Sequence, residues 1–215
     1  MFAVGTELHL WASLSAPACV LFALRAADGD RLPECADTLV RPSVAARALA
    51  AALIAVVAIL QSSAIGALAA AVFLSMLAYL AAVDLRYLAA PVLETVIFLV
   101  SGLGFAFVTG GGESLAIHCG AALAAWLGFR TLDVAYVALR GRSGLGAGDA
   151  LIAAVIGAWQ SFGGVAWATA IGGAAVLLWA GVSRWPKDKP LPLAPGLAVG
   201  AAMAMLAEGV LREWL

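Results

Sequence analysis

Asp84, in Ala82-Val83-Asp84-Leu85-Arg86 at the end of one apolar run, and Asp149, in Gly146-Ala147-Gly148-Asp149 at the start of another, are the side chains best placed to do chemistry. A carboxylate beside hydrocarbon is costly to keep, and where one is kept it usually serves function. Two carboxylates brought together share a proton, because like charges in close proximity cannot both ionise easily, and the pair titrates as a unit. The ionised member can then take a proton from water while the protonated member polarises a carbonyl. That is sufficient for hydrolysis of a peptide bond, and it requires neither a metal nor a cofactor.

The elements that must position these acids are membrane helices. With 64% hydrophobic and 12% charged residues and a mean hydropathy of +1.03, the chain has too little polar surface for a water-soluble globule, so the lipid bilayer is its solvent. Apolar runs near the ~17–25 residues needed to cross a bilayer fall at Leu8 to Leu24, Ser43 to Leu60, Ala64 to Val83, Val92 to Thr109, Leu115 to Leu139, Val165 to Val182 and Leu193 to Val210. A shorter run from Ala150 to Phe162 is expected to begin earlier, drawing Gly144 to Asp149 into the membrane edge. The expected fold is therefore all-α, a polytopic membrane helix bundle of about eight transmembrane helices forming a single domain over residues 1–215. Its 23 glycines and its alanine-rich runs suit closely approaching helices.

Charge sets the orientation, since Lys and Arg resist translocation. Eleven of the twelve basic residues (Arg25, Arg31, Arg41, Arg47, Arg86, Arg130, Arg140, Arg142, Arg184, Lys187 and Lys189) fall on one side of an eight-span arrangement, and only Arg212 on the other. The opposite loops, Gln61 to Ser63, Gly110 to Glu113 and Ser161 to Gly164, carry none. Both termini are then expected outside and both aspartates at the cytoplasmic face. Scattered basic residues and a net charge of -1 exclude a nucleic-acid partner. Cys19, Cys35 and Cys119 have neither pairing nor ligand spacing, and read as small apolar fillers.

Other residues offer competing roles. Gly144, Gly146 and Gly148 permit close backbone approach around Asp149; a phosphate-loop reading lacks its Lys, whereas a helix-capping role for Asp149 stands as a structural alternative. Asp84 could instead pair with Arg86 or another cytoplasmic Arg. Glu94, at the start of the fourth span, is a candidate third carboxylate that tunes the pair or holds substrate, or else serves the helix dipole. Asp133 with Arg130 fits an i, i+3 pair at the interface. His118 lies too far along its span to join the acids, and Trp126, Trp159, Trp167, Trp179 and Trp185 read as packing groups or interfacial anchors. Asp28, Asp30, Glu34 and Asp37 could receive a basic peptide.

The stretch from Gly141 through Gly146-Ala147-Gly148-Asp149 to Gly157-Ala158-Trp159 resembles the second-aspartate motif of the type IV prepilin peptidases, Gly-x-Gly-Asp followed by an apolar helix and Gly-Ala-Trp. Asp84-Leu85-Arg86 followed by Pro91 resembles their first-aspartate motif, and Pro190-Leu191-Pro192 through Pro195 to Gly200 resembles the proline-rich approach to their final helix. The resemblance runs from about Val83 to Gly200, with the motifs in the family's order. It implies an aspartic endopeptidase of the bacterial inner membrane that removes the leader from prepilin-like protein substrates (pilin, Flp pilin or pseudopilin precursors) at the cytoplasmic face. Asp84 and Asp149 would be its catalytic pair, with Gly146 and Gly148 shaping the second site. Where many members carry a large insertion with paired cysteines and methylate the new amino terminus, this chain has only Arg25 to Pro42 with Cys35, so methyl transfer is not expected. Ala90, Val92 and the absence of Lys two positions after Asp149 also depart from the usual motifs, and bear on substrate contacts more than on chemistry.

The residues alone leave two other classes open. A presenilin-like intramembrane protease also uses Gly-x-Gly-Asp, but the eight spans, the Gly-Ala-Trp continuation and the lack of Tyr before Asp84 speak against it. A proton-coupled transporter or assembly subunit could carry paired carboxylates, although such sites favour the midplane between repeated halves.

Overall fold

A computed structural model describes residues 64–88, 90–141, 145–184 and 191–214. The spans expected at Leu8 to Leu24 and Ser43 to Leu60, the acidic loop between them, Cys19, Cys35, Gly144 and the Lys187–Lys189 pair lie outside the described residues, as does the side chain of Arg86. The described chain is helical, without strands: α1 (Ala64–Tyr87), α2 (Val92–Arg140), α3 (Ala147–Trp167), a π-helical turn (Ala168–Gly172), α4 (Gly173–Val182) and α5 (Ala194–Trp214). Among the described residues three helical runs are long and apolar enough to cross a membrane: Ile65–Leu85, Val92–Arg140 and Ala147–Val182. This is a membrane protein.

Where the sequence reading expects loops at Gly110 to Glu113 and Ser161 to Gly164, the helical hydrogen-bond ladder is instead broken by single residues. Gly111 (φ 68, ψ -159) interrupts α2 and Ser161 (φ 57, ψ -160) interrupts α3. These breaks are reversals. In a straight helix Phe98 and His118 would stand about 30 Å apart, yet the Phe98 carbonyl accepts the Trp159 Nε1–H at 2.9 Å while His118 Nδ1 bonds the carbonyl of the adjacent Ala158 at 2.9 Å. Residues 92–110 and 112–140 are thus two antiparallel arms. The second reversal follows from α5, which starts beside Asp84 and meets Gln160 at Ala201. Along it Gly196 lies on Gly172 and Gly200 on Ala168, so residues 162–182 descend while 147–160 ascend.

Alanines make up much of the buried interior beside larger groups such as Phe73, Leu77 and Ile156, and many large apolar side chains lie on the outside. Ala67, Ala70, Ala125, Ala153, Ala158, Ala201 and Ala204 are buried, while Val108, Leu139 and Val182 are more than 80% exposed. That arrangement suits lipid, where apolar side chains gain little from burial and helices are held by close backbone packing. Gly157 meets the backbone of Ala121 and Ala122 so closely that a Cβ would lie 2.7 Å from it. Trp159 is sandwiched between Phe73 of α1, at a centroid distance of 5.3 Å, and Phe105 of α2, at 5.7 Å, and joins three helical arms. The Gly-Ala-Trp element is therefore a packing device. Trp126, Trp167 and Trp179 face outward, as does Cys119, which is not the buried filler that the sequence suggests.

Candidate active site

The topology brings one end of every described helical arm together: the end of α1, both ends of α2, the start of α3, the end of α4 and the start of α5. The reversals at Gly111 and Ser161 lie at the other end. Asp84 is the fourth residue from the end of α1 and Asp149 is the third residue of α3, so both occupy the gathered end.

Asp84 is 8% exposed. Its Oδ2 accepts the backbone N–H of Ala194 at 3.1 Å, a bond between residues 110 apart in sequence. Ala194 opens α5, and the next residue, Pro195, has no N–H, so the carboxylate satisfies one of the few orphan donors at that helix start. The seam on the other side of α5 fixes its height: Gly196 and Gly200 pack on Gly172 and Ala168 so tightly that a Cβ at Gly172 would lie 2.3 Å from the Gly196 oxygen. The π-helical turn sits in that seam, where its wider turn presents Ala168 and Gly172 to α5. The partner of Asp84 among the described residues is thus a helix start, where the sequence reading offered an arginine.

Asp149 is fastened locally. Gly146 N–H donates to its Oδ2 at 2.9 Å, and its own N–H donates to the Gly146 carbonyl at 3.1 Å. The capping alternative therefore describes a real contact, yet that contact engages only one carboxylate oxygen. Gly146 has an ordinary extended backbone (φ -69), so it is not there for a left-handed turn. A Cβ on it would sit 3.3 Å from Asp149 Oδ2 and crowd the bond. Gly148 serves close approach: a Cβ there would meet that of Ala90 at 2.6 Å. Leu88, with φ 49, ends α1 by accepting a left-handed conformation and turns the chain toward that contact. The connection after Asp84 is in this way packed beneath the start of the Asp149 helix.

The two acids are close enough for the charge of Asp149 to act on Asp84. Glu94, half-buried in the first turn of α2, sits at the same end of the bundle. The acid whose charge acts on Asp149 besides this pair is Asp133, which the sequence presents only as a partner for Arg130. That ion pair is present, at 3.6 Å. His118 lies at the level of Ala158, nine residues along α3 from Asp149 and away from both acids. Among the described residues no group of three or more His, Cys, Asp or Glu side chains could hold a metal ion.

Comparison with known proteins gives the family. Residues 71–181 match the type IV leader peptidase family, a stretch that contains both aspartates. The chain belongs to that family. It is also similar to a prepilin leader peptidase/N-methyltransferase of Pectobacterium carotovorum subsp. carotovorum, with 32% identity over 144 residues, 65% of this chain and 51% of the relative. The chain thus matches about half the length of that curated relative. No solved structure matches it significantly.

Proposed function

We propose that this protein is an aspartic endopeptidase that cleaves the leader from prepilin-like precursors, with Asp84 and Asp149 as its catalytic pair. The observation that carries this reading is that both acids stand at the same end of the bundle with one carboxylate oxygen, Oδ2, accepting a backbone N–H, at 3.1 Å for Asp84 and 2.9 Å for Asp149. In this reading the two Oδ1 atoms address a water and a scissile carbonyl. The singly protonated pair positions the water, one carboxylate taking its proton as the other gives a proton to the carbonyl oxygen. A tetrahedral intermediate forms without an acyl enzyme. Collapse expels the amine of the mature amino terminus, which takes the proton held by the carboxyl that had acted as base, while a hydroxyl of the intermediate gives its proton to the other carboxylate and restores the singly protonated pair.

In this reading the gathered helix ends face the cytoplasm of a bacterial inner membrane, within a bundle of about eight spans over residues 1–215. Arg140 and Arg184, at helix ends on the side of the acids, support that orientation. Gly146 and Gly148 shape the second site through the contacts described above, and Glu94 contributes a negative charge to the approach of a basic leader. N-methyl transfer is not part of the proposed activity.

The decisive experiment coexpresses the full chain with candidate pilin, Flp pilin and pseudopilin precursors and measures the mass of the product. Wild type is expected to yield a leader-free product without an added methyl group. Asp84→Asn and Asp149→Asn each retain an oxygen acceptor but cannot ionise, and processing should fall by at least about 100-fold, the usual scale of acid–base catalysis. Cleavage that persists in either variant overturns the assignment.

A further inference from the structure

We propose that Asp133 is a positioning residue for Asp149, acting through the backbone of Leu145 and Gly146; the inference rests on the peptidase reading above. Asp133 belongs to the descending arm of α2, is 9% exposed, and uses its Oδ1 to accept the Leu145 N–H at 3.2 Å. Gly146, the next residue, is the one whose N–H holds Asp149 Oδ2 at 2.9 Å. Two consecutive amides therefore point at two different carboxylates, one on the helix before the connection and one on the helix after it.

The geometry of the connection gives this relay a purpose. Helix α2 ends at Gly141, whose left-handed φ of 71 lets its N–H close on the Val137 carbonyl at 2.8 Å. Gly141 lies eight positions beyond Asp133, a helical rise of about 12 Å. Leu145 nevertheless bonds Asp133, so α3 starts beside that level of α2 and not beyond its end. The bond to Asp133 therefore fixes the level at which α3 begins, and with it the depth of Asp149 relative to Asp84. Burial of a carboxylate is tolerated only where its oxygens have partners; Oδ2 of Asp133 has Arg130 Nη1 at 3.6 Å.

The test uses the full-length protein in proteoliposomes and a precursor that the wild type processes, with kcat and KM measured separately. Asp133→Ala removes the acceptor and is expected to lower kcat about tenfold or more, the scale of one hydrogen bond to a charged group, with KM within about twofold. Asp133→Asn keeps an oxygen for the Leu145 N–H and should recover most of that loss. Leu145→Pro deletes the same bond from the donor side and should reproduce it, which guards against failure of the Asp133→Ala variant to fold. Arg130→Gln breaks only the ion pair and should leave kcat within about twofold. Wild-type kcat in Asp133→Ala or Leu145→Pro, no rescue by Asn, or an equal loss in Arg130→Gln overturns the inference, provided Asp149→Asn is inactive in the same assay. Activity in Asp149→Asn would instead remove the peptidase reading itself.

Discussion

Asp84 and Asp149 occupy the same end of the bundle but are held there in opposite ways. Asp149 is secured by a residue three positions before it, in a reciprocal pair of bonds with Gly146 that any helix start of this sequence could form. Asp84 is secured by Ala194, 110 residues away, and only because α5 is docked at the right height by Gly196 and Gly200 against Gly172 and Ala168. One carboxylate is oriented by local sequence, the other by tertiary packing. Remote substitutions should therefore act on the two unequally, even where they disturb the packing to a similar degree.

The sharpest probe removes the distant donor and little else. Proline is tolerated in the first turn of a helix, where its missing N–H is an orphan in any case. Ala194→Pro should thus leave α5 folded while stripping Asp84 Oδ2 of its partner. A hydrogen bond to a charged group contributes about 1.5–3 kcal/mol, so the expected loss of kcat is about 10- to 100-fold. Undiminished processing would show that Asp84 does not depend on the last helix.

A matched pair of glycine variants tests the inequality directly. In Gly196→Ala the new Cβ would meet Gly172 oxygen at 2.5 Å, and in Gly157→Ala it would meet the Ala121 backbone at 2.7 Å. Overpacking of this kind destabilises by about 1–3 kcal/mol, so both should lower the thermal midpoint similarly. Only Gly196→Ala sits in the seam that sets the height of Ala194, and its kcat should fall by several-fold more than that of Gly157→Ala. Combined with Ala194→Pro it should add little, because the two changes act through one bond. Equal kcat losses, or full additivity, would remove the distinction between the two fastenings.

The same contrast explains what could be read in the sequence. Gly146-Ala147-Gly148-Asp149 is a contiguous motif, and its meaning as an acid at a helix start is local, so it was visible in the residues. Asp84 is visible too, as a carboxylate at the end of an apolar run, but its bond to Ala194 is not: nothing near Asp84 in the sequence points to a residue 110 positions away. The helices from Ala64 onward are legible as long apolar runs, three of them long enough among the described residues to cross a membrane. Their connections at Gly110 to Glu113 and Ser161 to Gly164 are legible in place but not in length, because one residue with positive φ, Gly111 or Ser161, suffices to reverse the chain. Asp133 looked like half of an interfacial ion pair, since its bond to Leu145 exists only once the connection folds back.

The reversals supply a prediction at the far end, where neither fastening should be affected. Gly111 and Ser161 adopt nearly the same conformation, φ 68 and ψ -159 against φ 57 and ψ -160. That region belongs almost entirely to glycine and costs other residues about 1–3 kcal/mol. Ser161→Gly should raise the stability by about 1 kcal/mol after the entropic penalty of a glycine, read as a higher thermal midpoint, with kcat unchanged. A lower midpoint would show that the serine is not strained there.

The smallest effect is expected at Glu94, which distinguishes a substrate-facing charge from a helix-dipole charge at the same end of the bundle. An acid in the first turn of α2 favours the helix through its dipole, in which case Glu94→Gln lowers stability and leaves kinetics alone. In the proposed reading its charge attracts a basic leader, so the variant raises KM and spares kcat. Glu94 is half-buried at an accessible helix start, and exposed charge pairs contribute roughly 0.2–1 kcal/mol. The rise in KM should therefore stay below about fivefold and shrink as salt screens the interaction. A change confined to the thermal midpoint, with KM unmoved at low salt, would assign Glu94 to the helix alone and leave the basic leader to be recognised elsewhere.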